Sequence, residues 1–403
     1  CRKKILLWIS LNSHVHVCRT GMATLVILGP GGHASEIMRA VHHIKESFPQ
    51  RTSFFYVAAD NDTLAESRVK GVERTWSKEY FENKSPSNLM RKIFRNMLRN
   101  SFSSSSRTNS TVKTRFFYIP RVRGVGDSVL WCIIPCIWSF FYSLLLLLFV
   151  RPRIILANGP ALCVPVLWAA AFLNFMRIHT NTRIYIESLT CVDRLSLSGE
   201  CVYPIVDAFL VHWSSLGSTY SKARTLNHIK SRLLRPVTCV HDESYALVTV
   251  GTTNFDCLVR MCDAPWFSTV VKVRIGIKKI VIQIGNGTYI PTNCEYLRWY
   301  DNRTSRLLAD AALVVCHGGV GTILDASERN VPIIAVPNES LLNNHQLLLC
   351  RELHNQKCVF AIELHEFHEK MSRLRWRDLR LKSLEYPSRE IGEVFMSFKE
   401  RCR

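Results

Sequence analysis

Short apolar runs recur along this chain, each bounded by turn residues and followed by a stretch of different period. Six fall before residue 212: Thr24–Leu28, Phe54–Ala58, Phe116–Ile119, Ile154–Ala157, Arg183–Ile186 and Ala208–Val211. Runs of this length read as buried strands. The residues after the first run place Ile37, Met38, Val41 and Ile44 on one helical face. A second series begins after Pro236–Ser244, with runs at Ala246–Val250, Lys279–Ile284, Leu313–Cys316, Ile333–Val336 and Cys358–Ile362. Helical patterns lie between them, as at Gly319–Arg329 and Asn344–Gln356. Strand–helix alternation builds parallel sheets covered by helices. The expected fold class is therefore α/β: two Rossmann-like parallel-sheet domains, with ligands in the cleft at the carboxyl ends of the strands.

Boundaries follow from the same pattern. Residues 1–21 precede the first strand and are expected to be either non-native or a fragmentary N-terminus, with Met22 as the candidate start. Residues 22–241 form one domain and residues 242–365 a second. Residues 366–403 are a charged tail with a helical pattern. Between Arg68 and Arg123 lies a basic insertion with 14 Lys/Arg against 3 Glu, including a serine tract at Ser101–Ser106 and a short helix over Leu89–Leu98.

Charge narrows the partners. The chain carries 52 Lys+Arg against 32 Asp+Glu, a formal +20. Such an excess points to nucleic acid, an acidic membrane or a phosphorylated substrate. No RNA- or DNA-binding motif is present, and nucleic acid is set aside. The 15 cysteines are scattered without CxxC spacing. That fits a reducing compartment better than a disulfide framework or a zinc site. Six NxS/T sequons, at Asn61, Asn83, Asn109, Asn286, Asn302 and Asn338, are read as chance matches on a cytosol-facing chain.

Val129–Val150 is uncharged over 22 residues, long enough to cross a bilayer. Two features favour a helix lying in the interface or the core instead. Ser139, Tyr142 and Ser143 dilute it, and a strand begins three residues after it. A true span would strand that sheet at the bilayer edge. Pro135 is expected to kink it. Ala161–Met176, a shorter apolar run, reads as core.

Four motifs carry chemistry. Gly29-Pro30-Gly31-Gly32-His33-Ala34 follows a strand and opens a helix. Glycines there let backbone N–H groups approach an anion at a helix N-terminus. The same letters fit GxGxxA, with Asp60 able to hold a ribose. Gly251-Thr252 ends the first strand of the second domain in a small-residue turn. His317-Gly318-Gly319-Val320-Gly321-Thr322 is another glycine turn, with Asp325 one helical turn onward. Asp325 can bind ribose hydroxyls or simply favour a helix N-terminus. Asn343-Asn344-His345-Gln346 opens a further helix; capping by Asn343 explains one of these residues, not four. His365-Glu366-Phe367-His368-Glu369 is one residue short of HExxH and is not read as a metal site.

Together these motifs resemble a known enzyme. The GPGGHASE loop, Asn158-Gly159-Pro160, Ile186-Glu187-Ser188 and Leu195–Gly199 resemble the membrane-recruiting subunit of the UDP-N-acetylglucosamine transferase of dolichol-linked N-glycan assembly. VTVGTTNFD, Gln283–Gly287, HGGVGT and NNHQ resemble its catalytic subunit. The two are separate chains in most known cases and fused here. The resemblance spans roughly Met22 to Phe360 and implies the two-domain B-type glycosyltransferase fold. It implies UDP-GlcNAc on the second domain and dolichyl-diphosphate-GlcNAc on the first, at the cytosolic face of the endoplasmic reticulum membrane. Other early dolichol-pathway enzymes are expected partners.

The implied reaction inverts the sugar's anomeric carbon. His33 is the leading general base, with Glu187 as the alternative base or an orienting residue. Gly29, Gly31 and Gly32, and on the donor side Gly251, Thr252, His317, Gly318, Gly319, Gly321 and Thr322, are the expected substrate-binding turns. Asp325 would hold ribose, and Asn343, Asn344, His345 and Gln346 the sugar or diphosphate. No DxD-type acidic pair stands near these loops, so no obligatory metal or other cofactor is expected. Two rivals remain: a non-catalytic membrane scaffold that binds UDP-sugars, and an NAD(P)-dependent oxidoreductase, which leaves HGGVGT and NNHQ unexplained.

Overall fold

A computed structural model describes residues 22–47, 52–60, 62, 65, 69, 115–123, 129–227, 229–234, 244–298, 307–339 and 345–401. The Leu89–Leu98 helix and the rest of the basic insertion from residue 70 to residue 114, together with Asn343 and Asn344, lie outside the described residues, as does the side chain of His345.

Seven strands form the first sheet: β1 (Met22–Ile27), β2 (Thr52–Ala59), β3 (Arg115–Ile119), β4 (Ile154–Asn158), β5 (Thr182–Ile186), β6 (Ala208–Val211) and β7 (Ala223–Thr225). Their order is β3-β2-β1-β4-β5-β6-β7, and every pairing is parallel. β4 is buried along its whole length, as a strand covered on both faces must be. Between strands run α1 (Gly32–Ser47), α2 (Ile133–Val150), α3 (Cys163–Phe175), α4 (Leu197–Val202) and α5 (Ser214–Thr219). The order reverses between β1 and β4, and that switch point opens a crevice at the strands' carboxyl ends.

β8 (Ile229–Leu233) leads out of this domain. The second sheet holds β9 (Tyr245–Thr249), β10 (Lys279–Gln283), β11 (Glu295–Leu297), β12 (Leu313–Cys316), β13 (Ile333–Ala335) and β14 (Phe360–Ala361), in the order β11-β10-β9-β12-β13-β14, again all parallel. Its helices are α6 (Asp256–Asp263), α7 (Pro265–Val270), α8 (Val320–Glu328), α9 (His345–Asn355) and α10 (Phe367–Arg373).

The tail is not purely helical. It contributes β15 (Lys382–Leu384), which pairs antiparallel with β8, and then α11 (Ser388–Arg401). α11 returns to the first domain. Ile391, Val394 and Phe395 are buried, Phe395 stacks on Phe54 of β2, and the Asn227 N–H donates to Glu390. Leu384 N–H donates to Ser327 Oγ of α8, tying the same segment to the second domain.

α2 departs from two expectations. Residues 129–132 form a 3₁₀ turn and the α-helix starts at Ile133. Pro135 therefore sits in the first α-turn, where its missing N–H would have had no partner, and causes no break. α2 buries Ser139, Ser143, Leu146, Leu147 and Val150. The 3₁₀ turn leaves Trp131 80% exposed, and α2 leaves Ile134 at 76% and Ile137, Trp138 and Phe141 also exposed. α3 packs beside it, Phe140 meeting Phe172 edge to face at 6.2 Å. α3 is a core helix on one face, burying Cys163, Val166, Leu167, Ala169, Ala170 and Leu173, but its other face leaves Trp168, Phe172 and Phe175 exposed, Phe175 at 84%. The two helices present one continuous apolar face.

Candidate active site

Both glycine turns lie at the carboxyl ends of central strands, β1 in the first domain and β12 in the second. Parallel topology brings the helices after them, α1 and α8, nose to nose. A Cβ on Gly32 would lie 3.7 Å from Val320 Cβ, and one on Gly321 would lie 3.4 Å from Ser35 Oγ. Around this junction is a cavity of about 1330 Å³. Gly31, Gly32 and His33 line one side, and Gly251, Thr252, His317, Gly318, Gly319, Gly321, Thr322, Asp325 and Gln346 the other. Gly29 is buried beneath the first turn, and Asp60, on an exposed turn after β2, is not on the wall.

His33 occupies the first turn of α1. Its Nδ1 lies 2.9 Å from Asn158 Oδ1, at the end of β4. Gly159, at φ +64°, backs the ring so closely that a Cβ there would collide with it. Burial pushes the imidazole below its ordinary pKa, against opposing help from Asn158 and Glu187. It is neutral at pH 7, the form that accepts a proton.

Glu187 follows β5 and is fully buried. Ser188 N–H donates to its Oε1 at 2.9 Å, and Ser196 N–H and Oγ–H to its Oε2 at 3.1 and 3.0 Å. Burial raises its pKa. Its oxygens face these loop donors, and it is absent from the cavity lining.

On the donor side, α8 begins at Val320 after Gly319, which supplies no side-chain cap. First-turn N–H groups of such a helix suit an anion. His317 is 6% exposed, pressed between Gly251 and Gly319, and burial lowers its pKa to about 4. It shapes the turn as a neutral wedge. Gln346 Oε1 accepts from Asn338 N–H at 3.1 Å, which fixes the mouth of α9. Asp325 faces the cavity and is bound by Arg39 of α1, whose guanidinium also reaches Glu328 at 2.6 Å.

Two residues of this site escaped the sequence reading. Glu36 is wholly buried on α1, linked through Asn158 to His33, and Arg39 bridges the domains. A carboxylate one residue before Ile37, on the apolar stripe of α1, was the available signal for Glu36. His368 of the HEFHE segment packs its ring on Trp266 at 4.4 Å, away from this cavity.

The two parallel sheets with a cleft between them form the two-domain fold of the B-type glycosyltransferases. Residues 24–229 match the family described as "Oligosaccharide biosynthesis protein Alg14 like", and residues 245–387 match the "Glycosyltransferase family 28 C-terminal domain". The chain belongs to the Alg14-like family and carries the family 28 domain on the same polypeptide. The rat protein named UDP-N-acetylglucosamine transferase subunit ALG14 is 28% identical over 225 residues, 55% of this chain and 90% of the relative. Its Candida albicans counterpart is 32% identical over 49% of this chain and 73% of its own length. Human UDP-N-acetylglucosamine transferase subunit ALG13 is 36% identical over 121 residues, 28% of this chain but 10% of that protein. Among solved structures, Acinetobacter baumannii MurG superposes with a TM-score of 0.59 at 12% identity, covering 94% of this chain and 99% of its own. The UDP co-structure of Staphylococcus aureus MnaA gives 0.55 at 10% identity, covering 94% and 97%. These likenesses extend to the fold alone.

Proposed function

We propose that this chain moves GlcNAc from UDP-GlcNAc to dolichyl-diphosphate-GlcNAc, with inversion, at the cytosolic face of the endoplasmic reticulum membrane. One observation carries the reading: the His33 turn of the Alg14-like domain and the uncapped α8 N-terminus of the family 28 domain line one cavity. A base and an anion cradle on opposite walls suit attack at a sugar carbon held between them. The relatives' names, as UDP-GlcNAc transferase subunits, supply the donor.

In this mechanism the acceptor 4-hydroxyl attacks the anomeric carbon while His33 Nε2 takes its proton. The bond to the β-phosphate oxygen breaks, and UDP leaves with developing negative charge. The Gly318–Gly321 turn and the α8 N-terminus stabilise that charge. Asp325 holds the ribose, and Asn343, Asn344, His345 and Gln346 the sugar or diphosphate. The reaction as drawn uses no metal. Glu187, held by Ser188 and Ser196, orients the wall behind His33 rather than acting as base. The apolar face of α2 and α3 lies in the membrane interface, with the net positive charge favouring anionic lipid.

The test is transfer of radiolabelled GlcNAc from UDP-GlcNAc to a short-chain lipid-diphosphate-GlcNAc by the purified chain. A β1,4-linked disaccharide lipid is expected. UDP binding without transfer would leave a sugar-nucleotide-binding scaffold.

A further inference from the structure

We propose that Glu36 is a positioning residue that fixes His33 in its base-competent tautomer, acting through Asn158. This rests on the reading of His33 as the base. Asn158 Nδ2 donates to Glu36 Oε2 at 2.9 Å, and Leu189 N–H approaches the same oxygen at 3.4 Å. Ser188 Oγ–H donates to the other oxygen at 3.0 Å. All three partners are donors, so the ionised carboxylate is the form they satisfy.

The consequence passes along the chain of groups. With its Nδ2 held by Glu36, Asn158 must turn Oδ1 towards His33. That oxygen accepts only from a protonated Nδ1, which leaves the Nε2 lone pair for the substrate hydroxyl. If the Asn158 amide reversed, its oxygen would oppose the Glu36 carboxylate, and His33 would carry its proton on Nε2. That form cannot act as base at the cavity side.

A glutamine or an apolar residue would hold the fold at this depth more cheaply, because burying a carboxylate costs several kcal/mol. The guanidinium of Arg39 bonds Ser35, Asp325 and Glu328, and acts on Glu36 only through space. Burial lifts the Glu36 pKa to about 7. The titratable groups around it are His33 and Arg39 on α1, with Cys191 and Tyr386 from the elements packed against it. Burial raises the pKa of both Cys191 and Tyr386 and keeps them neutral. Protonation of Glu36 removes the preference for the working orientation of Asn158, so turnover should fall as pH drops through that region.

The experiment uses the full chain with ¹⁵N-labelled histidine, His33 being identified by its loss in His33→Ala. At about pH 8 the wild type should show a protonated Nδ1 and an unprotonated Nε2. Glu36→Leu should bring up the Nε2–H form and cut kcat by about 10- to 100-fold, with the KM for UDP-GlcNAc unchanged. Glu36→Gln can offer its side-chain oxygen to the same two N–H groups. It should recover most of the lost kcat at about pH 8 and move the acid limb of the profile to lower pH. An Nε2–H wild type, a normal kcat in Glu36→Leu, or an acid limb unmoved in Glu36→Gln would each overturn the proposal. Should Glu36→Leu fail to fold, the wild-type tautomer and the Glu36→Gln profile decide it. Full turnover in His33→Ala would remove the base reading alone, because the tautomer is read without activity.

Discussion

The guanidinium of Arg39, in the first domain, is bonded to the carboxylate of Asp325, in the second. Asp325 is thus both the proposed ribose ligand and half of a cross-domain ion pair. Asp325→Ala should weaken UDP and UDP-GlcNAc alike by about 1–3 kcal/mol, the loss of a charge-assisted hydrogen bond. Arg39→Met takes away a competitor for the same carboxylate, so UDP should bind at least as tightly. Calorimetry on both variants checks this. Unchanged UDP affinity in a folded Asp325→Ala would leave Asp325 as an interdomain strut.

His33→Ala should lower turnover by roughly 10²–10⁴-fold, the usual range for a general base, with UDP affinity little changed. Near-normal turnover would move the base elsewhere.

Gly159 tests the same ring from behind. At φ +64° a side chain costs about 1–2 kcal/mol, and its Cβ would push on His33. Gly159→Ala should fold with a lower Tm and lose turnover by about tenfold or more, as misplacement of a catalytic group does. UDP affinity should hold. A variant with wild-type turnover would show that the ring has room to move.

Stability should report the buried acid. The folded-state pKa of Glu36, about 7, lies above its ordinary 4.5, so the folded state holds a proton that the unfolded chain has released. Stability from this group is full below about pH 4.5 and is lost as pH rises through about 7, by about 3 kcal/mol at most. His33 and His317 are lowered, so they act in the opposite sense, costing stability as pH falls below about 6.5. Urea midpoints for wild type and Glu36→Gln should diverge between about pH 5 and pH 8, the variant gaining. A constant difference would mean that Glu36 titrates as an ordinary carboxyl.

The apolar face predicts where the chain meets lipid. Replacing Ile134, Trp138 and Phe141 by serine should abolish flotation with anionic vesicles while leaving Tm nearly unchanged, since all three are exposed. Alkaline carbonate should release from microsomes much of a chain expressed from Met22. Full retention in the pellet would favour a span.

Much of this fold was legible because its strands are buried on both faces. β4 and β12 read as unbroken apolar runs, and their glycine turns marked the crevice. The short edge strands β7, β11 and β15 were not legible. Lys382, Ser383 and Leu384 have no period of their own and become a strand only because β8 lies beside them. The exposure of Trp168 and Phe175 was hidden for a related reason: composition tells that a helix is apolar, not what covers it. Nothing in the local sequence singled out Arg39, because the carboxylates it meets are 286 and 289 positions away. Only docking of the domains brings them together.

α11 completes the first domain's surface, yet it follows the entire second domain in the chain. During synthesis, α1 and β2 emerge long before the helix that covers Ile44 and Phe54. The first domain must wait with that flank open, and the second must fold while its neighbour is unfinished. Nascent chains stalled before Ser388 should therefore expose this flank to chaperones and proteases, and release should come in one late step when α11 docks. Pieces 22–241 and 242–403, made together, should reassemble through that helix into an active pair. A second piece ending at Leu364 should leave its partner uncovered.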